Sequence, residues 1–183
     1  VFEGILRRLA EAFDEAGIAY MVMGGQAVLL YGEPRLTQDV DVTLGVTPGR
    51  LPDVLGALVP AGFRPLVDAD FVAETLVLPC EDEASGVRVD VVFSYSSYEQ
   101  EALQRTRRVV IDGVGVRFAS VEDLLIQKVV AGRPRDLEDV RSVLLKHPAL
   151  DTAYVRRWLD GFAEALDAPF RDLFDRLWGE AQP

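Results

Sequence analysis

Cysteine and histidine are almost missing from this chain: its 183 residues include one of each, Cys80 and His147. A lone cysteine excludes an internal disulfide. Two such residues far apart in sequence give little support to a Cys/His zinc site or a thiol–imidazole pair. Long apolar runs are missing too, since none approaches the ~18 residues needed to cross a bilayer. The opening "VFEGILRRLAEAFDEAG" reads as an amphipathic helix with acids throughout, unlike a secretory signal, so no membrane association and a cytoplasmic location are expected. Basic charge is also in short supply, with 19 Lys and Arg against 30 Asp and Glu and a net charge of −11. That balance weighs against a protein that grips nucleic acid by broad phosphate neutralisation. There is no internal repeat and no low-complexity segment. What remains is 49% hydrophobic and 27% charged, enough to build a globular core without staples.

The pattern along the chain predicts an α+β fold: a mixed β-sheet flanked by helices, followed by a C-terminal α-helical region. The expected domains are a head, 1–118, and a helical subdomain, 119–183. Apolar residues at Phe2, Ile5, Leu6, Leu9 and Phe13 have helical spacing, and Gly17 is placed to end that helix. "IAYMVMGG" reads as a strand entering a glycine turn, and "GGQAVLLYG" as a short helix after it. Residues 51–61 read as a second surface helix, and "GFRPL" as a turn. "FVAETLVLPC" and "VRVDVVFSY", joined by the acidic loop "EDEASG", read as paired strands. A helix near Tyr98–Arg105 and a hairpin turning at Asp112-Gly113 follow. From Ser120, an N-cap with Asp123 at the third helical position, the pattern becomes helical and stays so for three or four helices.

The segment "TQDVDVTL" (37–44) carries the chemistry. Val40, Val42 and Leu44 alternate with Asp39, Asp41 and Thr43, so both acids sit on one face of a strand. Aspartate is depleted from strands, and two charges about 7 Å apart repel by roughly 2 kcal/mol at an effective dielectric of 20. A divalent cation such as Mg²⁺, which prefers hard oxygen ligands, would offset that repulsion. A bare Asp-x-Asp equally suits a solvated face whose acids pair with an arginine such as Arg35. Gly24-Gly25, between strand and helix, lets an anion approach the backbone at a helix N-terminus, with phosphate the natural candidate; it also suits a plain tight turn. Asp90, between valines in "VRVDVVF", offers a third carboxylate to hold a cation and help deprotonate a hydroxyl, or a partner for Arg88.

In that order, Gly-Gly, Asp-x-Asp and a later strand Asp resemble the nucleotidyltransferase superfamily, which includes DNA polymerase beta and the aminoglycoside nucleotidyltransferases. "GGQAVLLYGEPRLTQDVDV" with "LLIQKVVAGRPRDLEDV" is similar in particular to the AbiEii-type abortive-infection nucleotidyltransferases. Their Lys, Arg and Arg/Lys-Asp-x-x-Asp positions would here be Lys128, Arg133, and Arg135-Asp136 with Asp139. The resemblance implies that Asp39, Asp41 and Asp90 hold two Mg²⁺ ions, with Mn²⁺ as a substitute, and form the catalytic set. It implies that Gly24 and Gly25 cradle a triphosphate, with Lys128 as a further phosphate contact; Arg35, four residues before Asp39, offers either a second phosphate contact or an ordinary pair with an acid, and Thr37 a further nucleotide contact. Many superfamily members have Gly-Ser where this chain has Gly24-Gly25, so a hydroxyl contact to phosphate is replaced by backbone alone. The implied activity is transfer of a nucleoside monophosphate from an NTP to a hydroxyl acceptor on tRNA, protein or a small molecule. A toxin–antitoxin role with a cognate antitoxin, an aminoglycoside-modifying enzyme, and an inactive nucleotide-binding or regulatory module are the other roles this fold would allow.

Overall fold

The computed structural model describes residues 1–182. They fall into two compact units, one of Val1–Gln26 with Leu36–Ala119, the other of residues 27–35 with residues from 120 onward.

The first unit begins with α1 (Phe2–Glu15), which buries Ile5, Leu6, Leu9, Ala10 and Phe13. Gly17 ends it with φ +62, while the amide of Ile18 donates to Phe13 O at 2.9 Å and that of Gly17 to Asp14 O at 3.2 Å. That pair of bonds is a Schellman stop, which glycine permits because it has no Cβ. Seven strands follow: β1 (Tyr20–Met23), β2 (Asp39–Leu44), β3 (Phe63–Pro65), β4 (Val77–Asp82), β5 (Arg88–Phe93), β6 (Arg107–Ile111) and β7 (Val114–Phe118). They form one mixed sheet in the order β3-β4-β5-β2-β1-β7-β6. β2 runs parallel to β5, β1 runs parallel to β7, and the other neighbours are antiparallel. The β6–β7 turn is the expected one, with positive φ at both Asp112 (48°) and Gly113 (84°).

Alternation along the strands gives the sheet two unlike faces. Val40, Val42, Leu44, Val89, Val91, Leu78 and Cys80 are essentially sealed on one of them, each large side chain contributing about 1.5–3 kcal/mol by burial. α1 and α3 (Leu51–Leu58) pack on that side. Arg8 of α1 reaches Asp82 at 2.7 Å and lies over the Phe63 ring. Asp39, Asp41 and Asp90 take the alternate, half-exposed positions of the opposite face.

Two departures from the sequence expectation lie in this unit. The single strand expected over "FVAETLVLPC" divides into a helix, α4 (Ala69–Thr75), and β4. Asp68 caps α4 by accepting from Phe71 N at 3.0 Å, and Leu76 closes it in the left-handed conformation. Local capping thus outweighs the β propensity of Phe71 and Val72. "GFRPL", expected as a turn only, contributes the three-residue edge strand β3, paired with β4 from Phe63↔Asp82 to Pro65↔Cys80. α5 (Ser97–Gln104) matches the expected helix and carries a capping box between Ser96 and Glu99.

The second unit is helical. It takes α2 (Gly24–Tyr31) from Ala27 onward, and holds α6 (Val121–Ala131), α7 (Pro134–Lys146), α8 (Thr152–Leu166) and α9 (Phe170–Ala181). Ser120 caps α6 as the sequence suggests, accepting from Asp123 N at 3.1 Å, and Gly132 ends it with φ +63. Asp123 is fully buried and satisfied by the hydroxyls of Tyr154 (2.7 Å) and Ser120 (2.5 Å). Among the described residues no helix is long and apolar enough to cross a membrane.

Candidate active site

The site in the first unit is built where β1 ends and β2 and β5 begin. Antiparallel pairing sets Met23 opposite Asp41. The next residue, Gly24, turns the chain into α2 with φ +58, and a Cβ built on it would fall inside the Asp41 carboxylate. Any other residue at 24 would therefore meet both backbone strain and a steric clash, so the glycine is what lets Asp41 keep its place.

Parallel pairing then sets Asp39 beside Arg88 and Asp41 beside Asp90. Residues in register on neighbouring strands point to the same face, so the three carboxylates expected from the sequence do share one surface. Carboxylates at the strand spacing of about 4.8 Å would repel by roughly 3 kcal/mol at an effective dielectric of 20. Arg88 supplies the opposing charge: its Nε–H donates to both oxygens of Asp90, at 2.8 and 3.0 Å. The start of β2 is pinned by two polar side chains. Thr37 Oγ1 lies 3.3 Å from both the Asp39 carbonyl and its carboxylate, and Gln26 Nε2 donates to the Asp39 carbonyl at 3.4 Å.

Among the described residues no three or more His, Cys, Asp or Glu side chains stand together as a ready-made metal site. Asp39 and Asp41 nonetheless fit the chemistry of Mg²⁺. Such a cation is commonly held by one or two carboxylates, with waters and substrate phosphates completing the shell, and the absence of a side chain on Gly24 lets Asp41 stand against the turn. Asp90, the third expected ligand, is engaged by Arg88. Cys80 is no nucleophile: burial pushes its thiol up to about 12, and the nearby Asp90 charge adds to that.

Arg35 and Lys128, expected as nucleotide contacts, lie in the second unit and are held by carboxylates. Arg35 makes a two-point bond to Asp139, at 2.7 and 2.9 Å. Lys128 Nζ, 9% exposed as a residue, lies 2.6 Å from Asp136 and 2.9 Å from Asp139. Arg133 adds a 2.6 Å bond to Asp136. Burial by itself would raise the Asp136 carboxyl, but its hydrogen bonds from Arg133 and Lys128 outweigh that and hold it below the usual carboxylate range. The same helix clasps residues 31–33: Lys146 reaches Gly32 O at 2.8 Å and the His147 ring lies 3.0 Å from Tyr31 O. His147 thus has a structural partner.

Gln26 has one sequence signal only, a polar residue in the first turn of an otherwise apolar helix. Arg88 pairs with Asp90 as its place in the strand allows. The register that brings Arg88 between Asp39 and Asp90 is a tertiary fact with no local signature.

Several solved structures share this fold. An antigenic nucleotidyltransferase-like protein from Paracoccidioides brasiliensis matches with 21% identity and a TM-score of 0.58, over 96% of this chain and 91% of that one. The antibiotic-resistance factor ANT(2'')-Ia matches with 19% identity and a TM-score of 0.59, over 98% of this chain and 94% of that one. A second structure of ANT(2'')-Ia, in complex with adenylyl-2''-tobramycin, matches with 20% identity and a TM-score of 0.58, over 94% and 98%. Among curated proteins none matches this sequence. The glycine turn and the aspartate strands fall within residues 3–166, which match a single family model over most of the chain. The chain therefore belongs to the nucleotidyltransferases of unknown function (DUF6036).

Proposed function

We propose that this nucleotidyltransferase moves a nucleoside monophosphate from an NTP to a hydroxyl acceptor, in the cytoplasm, with Mg²⁺ or Mn²⁺ at Asp39 and Asp41 and with Asp90 as the third carboxylate. The observation that carries the reading is the interlock of Gly24 with Asp41, itself in register with Asp90. It supports the reading because the glycine turn packs directly against a carboxylate of the aspartate strand.

The acceptor oxygen bonds to the α-phosphorus as the bond from that phosphorus to the bridging oxygen breaks, and pyrophosphate leaves. Asp90 orients the hydroxyl and takes its proton. Gly24 and Gly25 present backbone N–H groups to the triphosphate at the start of α2, with Thr37 beside them. Asp39 and Asp41 would hold the divalent cations, which would supply positive charge against the phosphates. Lys128, by family resemblance, and Arg35, by its place four residues before Asp39, are further candidate phosphate contacts, and their bonds to Asp136 and Asp139 would have to open for that role.

The acceptor is the open part of this reading. ANT(2'')-Ia, seen with adenylyl-2''-tobramycin, has a cationic antibiotic as its acceptor, and a net charge of −11 would suit a polycationic acceptor here as well. The AbiEii-type likeness of the motifs favours tRNA or protein within a toxin–antitoxin pair. A second reading, a nucleotide-binding or regulatory module without turnover, draws on the Arg88–Asp90 pairing, which keeps one carboxylate occupied.

Incubating the purified protein with each labelled NTP, Mg²⁺ and a cell extract tests these readings together. Label in RNA, protein or a small molecule, lost in the Asp39→Asn/Asp41→Asn double variant, is the expected result. Label transfer that survives in a folded double variant would overturn the assignment. NTP binding without any labelled product would favour the regulatory module.

A further inference from the structure

β6 is the last strand on its side of the sheet. Residues flanking a two-residue turn form a hydrogen-bonded pair, and around Asp112-Gly113 that pair is Ile111↔Val114. By alternation Val109 and Arg107 also bond to β7, while Arg108 and Val110 direct their backbone N–H and C=O groups away from the sheet. β7 agrees: the amide of Arg117, which stands opposite Arg108 in register, turns the other way and donates to the Tyr20 hydroxyl at 3.2 Å. Arg108 and Arg117 are therefore a non-hydrogen-bonded pair, in which side chains stand closest, and like charges there are unfavourable. Arg117 is compensated by Asp14 and lies over the Tyr20 ring. The Arg108 side chain has no hydrogen bond or ion pair among the described residues, and it lies across Gly115, where a Cβ would fall 1.7 Å from its Nε. Val110, on the same side of β6, is 69% exposed.

We propose that β6 is a docking edge for an extended acidic segment of a partner protein, added to the sheet as an antiparallel strand. Such a segment uses three features of the edge at once. Its backbone pairs with the outward groups of Arg108 and Val110, a carboxylate opposite Arg108 supplies the missing counter-charge, and an apolar side chain two residues earlier covers Val110. A small anion would use Arg108 alone. A second copy of β6 would bring its own Arg107 and Arg108 and add like charge to like, which is how charged side chains guard an edge strand against self-pairing. The carboxylate is what distinguishes the partner from another copy of this chain.

The peptide acetyl-Thr-Val-Thr-Glu-Thr-amide tests this on the full chain, since antiparallel pairing sets its Val opposite Val110 and its Glu opposite Arg108. At millimolar concentration it should slow amide hydrogen exchange at Arg108 and Val110, and it should bind at least about twofold more tightly than the same peptide with Lys in place of Glu. Arg108→Glu should reverse that preference; the position is at the surface, and an unchanged melting temperature confirms that the variant folds. A probe with its Val N-methylated lacks the N–H that reaches the Val110 carbonyl and should lose binding, with the protein itself unaltered. Exchange at Arg108 and Val110 that the probe leaves unchanged, an N-methylated probe that binds as well as its parent, or a preference for Glu that survives in Arg108→Glu would each overturn the proposal. A chain that sediments as a dimer and becomes monomeric as Val110→Pro would give β6 to a second copy and overturn it too.

Discussion

Asp41 on β2 and Asp139 on α7 are both aspartates set among apolar residues, yet their surroundings differ in kind. Asp139 belongs to a sealed cluster in which three cations, Arg35, Lys128 and Arg133, meet two carboxylates, with Asp136 and Asp139 no more than 4% exposed. Asp41 belongs to an open face that it shares with Asp39, Asp90 and the Arg88 guanidinium. The first arrangement buries both carboxylates and more than neutralises them within the chain, with Arg133 alone still 76% exposed. The second sets Asp41 in register with Asp90 on rigid strands, where two like charges repel and a cation would offset the repulsion. On the proposed function, the same residue types serve architecture in one unit and binding in the other.

The sharpest way to break the comparison is to neutralise one acid in each place. Asp41→Asn should lower nucleotide transfer by at least about a thousandfold, or about 4 kcal/mol of transition-state stabilisation. Its melting temperature should stay level or rise, because like-charge repulsion is relieved. Asp139→Asn should do the reverse in kind. Arg35 and Lys128 would lose a shared buried partner, and breaking such a pair costs about 3 kcal/mol of stability. Urea unfolding read beside labelled-nucleotide transfer separates the two. A stability loss at Asp41 as large as that at Asp139 would erase the distinction.

How much of this could be read beforehand depended on whether the signal was local. The aspartate strand, the Asp112-Gly113 turn, the Gly17 stop and the Ser120 cap all follow from period and capping within a few residues, and each stands where it was expected. α4 was hidden because Phe71 and Val72 favour strands, and a seven-residue helix shows too little period to argue back. β3 exists only through its pairing with β4. In the candidate site the three acids and the glycine turn were legible, because strand alternation fixes the face of each. Of the partners, Arg88 was legible beside Asp90, two residues along its own strand, whereas its place beside Asp39 comes from register between strands remote in sequence, and Lys128 meets Asp136 across a helix–helix turn. Arg35, paired with Asp139 over a hundred residues away, could not be told from a phosphate ligand by its neighbours in sequence.

Glycine separates the two roles at smaller magnitude. Gly24 and Gly113 both have positive φ, but a Cβ at Gly24 would strike Asp41, whereas one at Gly113 would meet nothing within 4 Å. Gly113→Ala should therefore cost about 1 kcal/mol of stability through backbone strain alone, with transfer unchanged. Gly24→Ala should cost at least as much and also lower transfer, because Asp41 must move. Equal activity in the two variants would show that the interlock is packing without consequence for the site.

The smallest effect expected is in acid. Burial alone would raise Asp82 in the first unit, but the Ser85 hydroxyl and Arg8 guanidinium outweigh it; Asp136 in the second is likewise lowered by Arg133 and Lys128. A carboxyl whose folded value lies below its unfolded value of about 3.9 binds fewer protons folded than unfolded. Its contribution is thus fully present above that unfolded value and is lost as pH falls through the folded one. Both acids are structural, so the loss should appear in unfolding midpoints below about pH 4 and leave the neutral range flat. Asp82→Asn and Asp136→Asn should each lower the midpoint at neutral pH, with the gap to the parent protein closing as the pH drops through that window. A gap that stayed constant down to strong acid would mean that the packing of these side chains, rather than their charge, holds the clusters together.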